Sequence, residues 1–555
     1  RMKFPIFNID NPESLEGFEL DHALARRTSV GDIPTRAAKA YGDRRALVDD
    51  RGELTYNQLE TQANRFAHAL TGVGVASREA VAVMAPNCKE YMVAYFGITK
   101  MGAAATLVNM LGGEHHVVYA LKQTEPKVIV IHADLLPVLK TAAELIGFVE
   151  HVVVIGAAQD DIDAGFPGAQ LHDFDEFVAQ AERFAGDDVD VEAPLEIAIA
   201  DRQIAQCLFS SGSTSDPKGI MTSHLTVYIS GLSSATTLNI QRRQQQPVTT
   251  IALPVFHTAA LNMIVIPFLQ MGGRVHMLSG FDPEVFGRTV QESQTTHGMG
   301  LPIMLQAIHD YSVKTGDKLE HLEFLGYGMA PVPESLYRSL RARFPHADLV
   351  MASGMTEATP GTLCQWPGYD ESKRFTWGTM TAHTEASIVD PTTNEHLPAG
   401  VDGELVLRGP AIMEGYLKPD NSVFAGGWLH SGDVGNIDAD GAFSFTDRLK
   451  DIVKSGGENV SSVIVEQVVL DHPDVLEVAV IGVPDEDWGE RVTAVVVPAN
   501  GVPESAAAQS ELRDSITQYA REHLNSSHRP RDVWFVEQLP RTGSGKIQKN
   551  KIRAK

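Results

Sequence analysis

Cysteine is scarce and scattered. Cys88, Cys207 and Cys364 are the only three in 555 residues, and no CxxC pair occurs. This spacing excludes a disulfide framework and a cysteine-built zinc site, so buried or incidental thiols are expected. Positive charge is also short: 46 Lys and Arg face 71 Asp and Glu, for a net charge of -25. A nucleic-acid binder needs a basic footprint, which this balance argues against, although a local basic site is compatible with it. Long hydrophobic runs are missing too. The most apolar stretch, Leu261 to Leu269, is broken by Asn262 and Pro267 and falls short of the ~20 apolar residues a bilayer span takes. The opening RMKFPIFNIDNPESLEGF has no apolar signal-peptide core. These absences predict a cytoplasmic protein with no integral membrane segment and no nucleic-acid partner.

What is present reads as a globular enzyme-sized chain. Hydrophobic residues make up 43% and charged residues 21%, enough to build a large core. The length predicts about three or four domains or subdomains. Helical spacing in LTYNQLETQANRFAHAL (54–70) and EYMVAYFGITKMG (90–102) alternates with the strand patterns AVAVMAP (80–86) and KVIVIHA (127–133). That alternation predicts parallel βαβ units. The acidic GDDVDVEAP (186–194) reads as a loop or subdomain junction. From about residue 400 to 449, short strands with Gly/Asp turns predict a small β-rich subdomain. From residue 450 onward, VSSVIVEQVVLDH, VLEVAVIGVPD, RVTAVVVPAN and a helical pattern from Ala506 to Leu524 predict a separate α+β domain.

One stretch carries chemistry on its face. In SSGSTSDPKG (210–219), Ser210, Ser211, Gly212, Ser213, Thr214 and Lys218 offer small backbone, hydroxyls and one ammonium. Such a loop can surround phosphate oxygens. IAQCLFS before it reads as a strand, and GIMTSHLTVYISGL after it as the start of a helix. A P-loop NTPase is excluded because Pro217, not glycine, precedes Lys218. An ordinary Ser/Gly surface loop is the alternative that this stretch alone leaves open.

Further motifs follow in order: PVFHTAA (254–260), GYGMAP (326–331), SGMTE (353–357), GELVLRGPAIMEGY (403–416), SGD (431–433), DRLKDIVKSGGENV (447–460) and LPRTGSGKI (539–547). This collinear set resembles the adenylate-forming superfamily of acyl- and aryl-CoA ligases, peptide-synthetase adenylation domains and luciferases. The resemblance runs from about Leu54 to the C-terminus. It implies an N-terminal adenylation domain over 1–449 and a mobile C-terminal domain over 450–555, hinged at Lys450.

The resemblance also implies roles. Ser213, Thr214 and Lys218 would hold the β- and γ-phosphates of ATP through a nucleotide-binding loop that includes Ser210, Ser211 and Gly212. Gly328, Met329 and Ala330 would border the adenine, with Ser353, Gly354 and Met355 beside them. Thr356 would bond the α-phosphate and Glu357 would ligate Mg²⁺. Asp433 would bind the ribose hydroxyls, with Arg448 supporting ribose or phosphate. Lys546 would bridge the acid's carboxylate and the α-phosphate. After rotation at Lys450, Ser455, Gly456, Gly457 and Glu458 would line a channel for CoA. Phe256, His257, Ala260, Met263, Gly326, Tyr327, Gly328, Met351 and residues near Pro302 would form the acyl pocket.

Two departures stand out. Ser353 occupies the place of an adenine-stacking aromatic, for which Tyr327 is a substitute, and SSVIVE (461–466) lacks the family's proline. His257 stands where amino-acid-activating relatives carry aspartate, which disfavours an amino acid: its ammonium would be buried unpaired.

The implied reaction is activation of a carboxylic acid by ATP and transfer of the acyl group to diffusible CoA. The apolar, methionine-rich pocket fits a medium- or long-chain fatty acid, with small residues at Ala260, Gly326 and Gly328 leaving room for it. An aryl or arylpropenoic acid is the alternative. A non-CoA acceptor as in amide-forming relatives, a non-catalytic nucleotide-binding protein and a homodimeric state are also left open.

Overall fold

The computed structural model describes residues 20–186, 188–210, 217–240, 245–329, 332–366, 368–369, 371–541 and 547–553. Local chemistry sets the early elements. Thr55 caps the helix Tyr56–Gly72: its hydroxyl accepts from Gln58 N while the Gln58 side chain accepts from Thr55 N. This reciprocal pair satisfies donors that a helix start otherwise leaves open. The buried face of the helix carries Leu59, Ala63, Phe66, Ala67 and Leu70. Ala80–Met84 and Val128–His132 form the expected strands, with the helix Lys89–Lys100 between them.

Two compact units emerge. The first comprises the described residues of 20–210, 217–385 and 408–421 and holds two large sheets. One sheet has eight strands; its centre, Ile204–Phe209, Ala104–Leu107, Ala80–Met84 and Val128–His132, is parallel. The other has nine strands and contains a parallel run Asp348–Ser353, Phe324–Tyr327, His297–Gly300 and Val248–Ile251. Buried Val, Ile, Leu and Phe side chains from both sheets and their helices form the main core.

The second unit comprises the described residues of 386–407 and 422–553. It contains an antiparallel sheet built on Gly403–Arg408, Trp428–Ile437 and Phe443–Arg448. Its other sheet is built on Val453–Ser455, Val475–Asp485 and Gly489–Pro498, with the helices Ser462–Leu470 and Ala506–His523 packed nearby. The chain is therefore α/β with a larger N-terminal and a smaller C-terminal part. The expected boundary at 449/450 falls inside this second unit.

All three thiols are buried and free, and burial pushes Cys88 and Cys207 up to about 12. Among the described residues, no helix is long and apolar enough to cross a membrane.

Candidate active site

The nine-stranded sheet explains why distant motifs converge. Val248–Ile251, His297–Gly300, Phe324–Tyr327 and Asp348–Ser353 are parallel neighbours. PVFHTAA, Pro302, GYGMAP and SGMTE each follow one of these strands. They therefore emerge at one carboxyl edge, where open α/β sheets bind ligands.

Backbone strain marks this edge. Met329 has φ 64° and Thr359 φ 41°, a region costly for residues with a Cβ. Met329 is 51% exposed. Gly354 is required by close approach, since a Cβ there would lie 2.6 Å from Gly361 N. Thr356 and Glu357, both half-buried, open a short 3-10 turn, Thr356–Ala358.

The Phe256 and His257 rings pack at a tilt of 49° with centroids 4.8 Å apart. Phe256, Ala260, Met263 and Tyr327 are buried, whereas His257 is half-buried. The room expected beside two glycines is filled. A Cβ on Gly326 would meet Phe324 and Met299, and one on Gly328 would lie 2.5 Å from the Ala352 carbonyl oxygen. These glycines permit tight strand packing instead of opening space. After His257 the chain winds into a π-helix, Leu261–Val265, a helix type frequent at functional sites.

The segment after the glycine-rich stretch differs from expectation. GIMTS is a strand, Gly219–Ser223, paired antiparallel with Ile204–Phe209, and the helix starts only at His224. The β-branched and hydroxyl residues extend the ladder until Ser223 caps the helix through Thr226 N. SSGSTSDPKG thus joins two hairpin strands. Ser210 N donates to the Lys218 carbonyl at 2.9 Å, and Lys218 N to Ser210 Oγ at 3.1 Å. Ser211, Gly212, Ser213 and Thr214 lie outside the described residues, as do Ala330 and Lys546.

One participant was invisible as such in the sequence. Tyr416 pairs with Ile220 as Gly415–Tyr416 joins the same ladder. Its hydroxyl donates to Glu357 Oε1 at 2.9 Å, and Lys218 Nζ sits 4.5 Å above its ring. Met413 N donates to the Glu357 carbonyl at 2.8 Å, tying the same segment to SGMTE. Tyr416 ends the segment GELVLRGPAIMEGY, whose spacing does not point to Glu357. Burial, reinforced by the Glu357 charge, raises the Tyr416 pKa, so the phenol stays a donor. Among the described residues, no group of three acidic, His or Cys side chains could cage a metal. Glu357 fits a Mg²⁺ ion only as one ligand beside phosphate oxygens and water, the arrangement Mg²⁺ commonly takes.

A second missed feature is a buried polar chain. Tyr95 Oη donates to Gln206 Oε1 at 2.7 Å, Gln206 Nε2 to Asn262 Oδ1 at 3.0 Å, and Thr258 Oγ1 to Asn262 Oδ1 at 2.9 Å. It locks the segment after His257 onto the eight-stranded sheet.

In the second unit, Asp433 and Arg448 face each other across antiparallel strands, with Arg448 Nε 2.6 Å from Asp433 Oδ1. Asp433 is buried and Arg448 is exposed. Lys450 is exposed, and its carbonyl accepts from Arg553. Gly456 and Gly457, at φ 60° and 83°, form the two-residue turn between Val453–Ser455 and Glu458–Val460. Both positive angles suit a primed hairpin turn. Ser455 is buried and Glu458 exposed. In SSVIVE, Ser461 caps the helix by accepting from Ile464 N at 3.2 Å, so the helix start is satisfied without proline.

Known proteins resemble this chain along nearly its whole length. The model of the AMP-binding enzyme family matches residues 34–417, and that of the AMP-binding enzyme C-terminal domain matches 464–546. A feruloyl-CoA synthase of an Amycolatopsis species is 32% identical over 535 residues, covering 95% of this chain and 99% of the relative. 4-Coumarate–CoA ligase 1 of Petroselinum crispum is 30% identical over 526 residues, covering 93% and 91%. In fold, the chain is similar to the anthranilate CoA ligase AuaEII in complex with anthranoyl-AMP. The TM-score is 0.81 at 24% identity, covering 96% of this chain and 98% of the other.

Proposed function

This chain belongs to the AMP-binding enzyme family and is an AMP-forming acid–thiol ligase; we propose that its acid is an arylpropenoic acid. ATP and CoA are its co-substrates. The observation that carries the proposal is the near full-length similarity to relatives named for feruloyl and 4-coumarate. The expected fatty acid has weaker support, and the filled space beside Gly326 and Gly328 removes one argument for a long tail.

In the first half-reaction a carboxylate oxygen of the acid attacks the α-phosphorus of ATP, and pyrophosphate leaves with the electrons of the broken P–O bond. In the second, the CoA thiolate attacks the acyl carbonyl and AMP leaves. Chemistry of this type is mostly positioning and charge stabilisation. Ser210 to Thr214 and Lys218 hold the β- and γ-phosphates. Thr356 bonds the α-phosphate. Glu357 presents one carboxylate oxygen for Mg²⁺, oriented by Tyr416. When bound, Mg²⁺ screens the phosphate charge. Asp433 and Arg448 hold the ribose, and Lys546 steadies the two reacting anions. Rotation about Lys450 then exchanges Lys546 for the Ser455–Glu458 turn and admits CoA. Phe256, His257, Met263 and Tyr327 border the acyl group.

The test is turnover of ferulic, 4-coumaric, benzoic and C8–C16 fatty acids with ATP and Mg²⁺, with and without CoA, read by mass spectrometry. AMP and a thioester formed at highest kcat/KM with an arylpropenoic acid are expected. Highest kcat/KM with a fatty acid would overturn the proposal.

A further inference from the structure

Beside Lys218 the first unit carries a partly open cavity of about 210 Å³. It is lined by Tyr119, Gln123, Lys218, Tyr416, Lys418 and Asp420, among others. This volume admits a diphosphate. Two ammonium groups border it, each over a ring: Lys218 Nζ lies 4.5 Å above Tyr416 and Lys418 Nζ 4.8 Å above Tyr119. The rings hold these cations beside apolar walls that include Phe209 and Leu417.

One carboxylate opposes an anion here. Asp420 Oδ2 lies 2.9 Å from Lys218 Nζ. An incoming phosphate would take Lys218 from Asp420, so the aspartate neutralises Lys218 until an anion arrives. Lys418, on the same short segment as Tyr416 and Asp420, supplies the second charge.

We propose that this cavity is a second binding site for a diphosphate group, next to the phosphate loop that Lys218 closes. As a group on the way out of the site it is the departing pyrophosphate; the diphosphate of CoA has the same chemistry. The inference rests on the proposed ligase reading for its ligand, and its test does not depend on turnover.

The experiment is titration of the full-length protein, free of nucleotide and acid, with inorganic pyrophosphate and separately with CoA, by calorimetry. Lys418→Ala should weaken pyrophosphate binding about fivefold, and Asp420→Asn should tighten it by a similar factor. Lys314→Ala, an exposed charge on another helix, controls for net charge and should bind like the parent. Weakening of CoA binding alone assigns the site to the CoA diphosphate. Affinities for both ligands within about twofold of the parent in both cavity variants would overturn the site. A variant pattern as expected, in a chain that turns over no arylpropenoic acid, would leave the site standing and overturn the substrate reading.

Discussion

The Tyr416 hydroxyl donates to Glu357 Oε1 at 2.9 Å, joining two residues that no sequence motif couples. One ladder makes this possible: Gly415–Tyr416 lies along Gly219–Ser223, whose preceding residue is Lys218. Cation, phenol and carboxylate thus form one row.

Tyr416→Phe keeps the ring under Lys218 and removes only the hydroxyl. Adenylate formation, followed by pyrophosphate exchange, should fall about tenfold, the loss expected for a hydrogen bond to a charged group. The Mg²⁺ concentration needed for half-maximal rate should rise as Glu357 loses its orientation. An unchanged Mg²⁺ dependence would remove Tyr416 from the metal's support.

Asp433→Asn should act on nucleotide and not on acid. The Arg448 guanidinium at 2.6 Å would lose its charged partner. KM for ATP should rise about tenfold while KM for the acid changes little. Steady-state kinetics with each substrate varied separately would check the split.

Asn262→Ala interrupts the buried chain from Tyr95 to Thr258. Both neighbours would be left with an unmet polar atom, which costs about 1–3 kcal/mol per group. Urea unfolding should show a lower midpoint. KM for the acid should also rise, because the π-helical turn that carries Met263 is held by this residue.

His224 sets an acid limit on stability. It is fully buried and accepts from Val30 N at 3.0 Å, and burial lowers its pKa to about 3. The unfolded chain, at about 6.5, binds the proton that the fold refuses. Stability from this group is therefore complete above pH 6.5 and is lost as pH falls toward 3, by at most about 1.4 kcal/mol per pH unit. His224→Gln, which can still accept from Val30 N, should flatten the pH dependence of the urea midpoint between pH 6 and 4.

Much of the fold was legible because its signals are local. The strands Ala80–Met84 and Val128–His132 and the helices around them follow the period of their apolar residues. The motif order pointed to family and reaction because each motif is a short run whose chemistry is set by its own residues. Where a local signal was ambiguous, expectation failed: GIMTS has no period that separates a strand from the first turn of a helix, and pairing with Ile204–Phe209 decided it. The room beside Gly326 and Gly328 was likewise unreadable, since a missing side chain does not say what fills its place.

By itself, then, the sequence determined the alternating architecture, the collinear motifs and the acidic, cysteine-poor character. These depend on neighbours along the chain. Tertiary structure alone decided that Tyr416 meets Glu357, that Asp433 faces Arg448, and that Asn262 links the site to the other sheet. Such contacts are set by strand order and register, in which a shift of one residue turns every side chain to the opposite face.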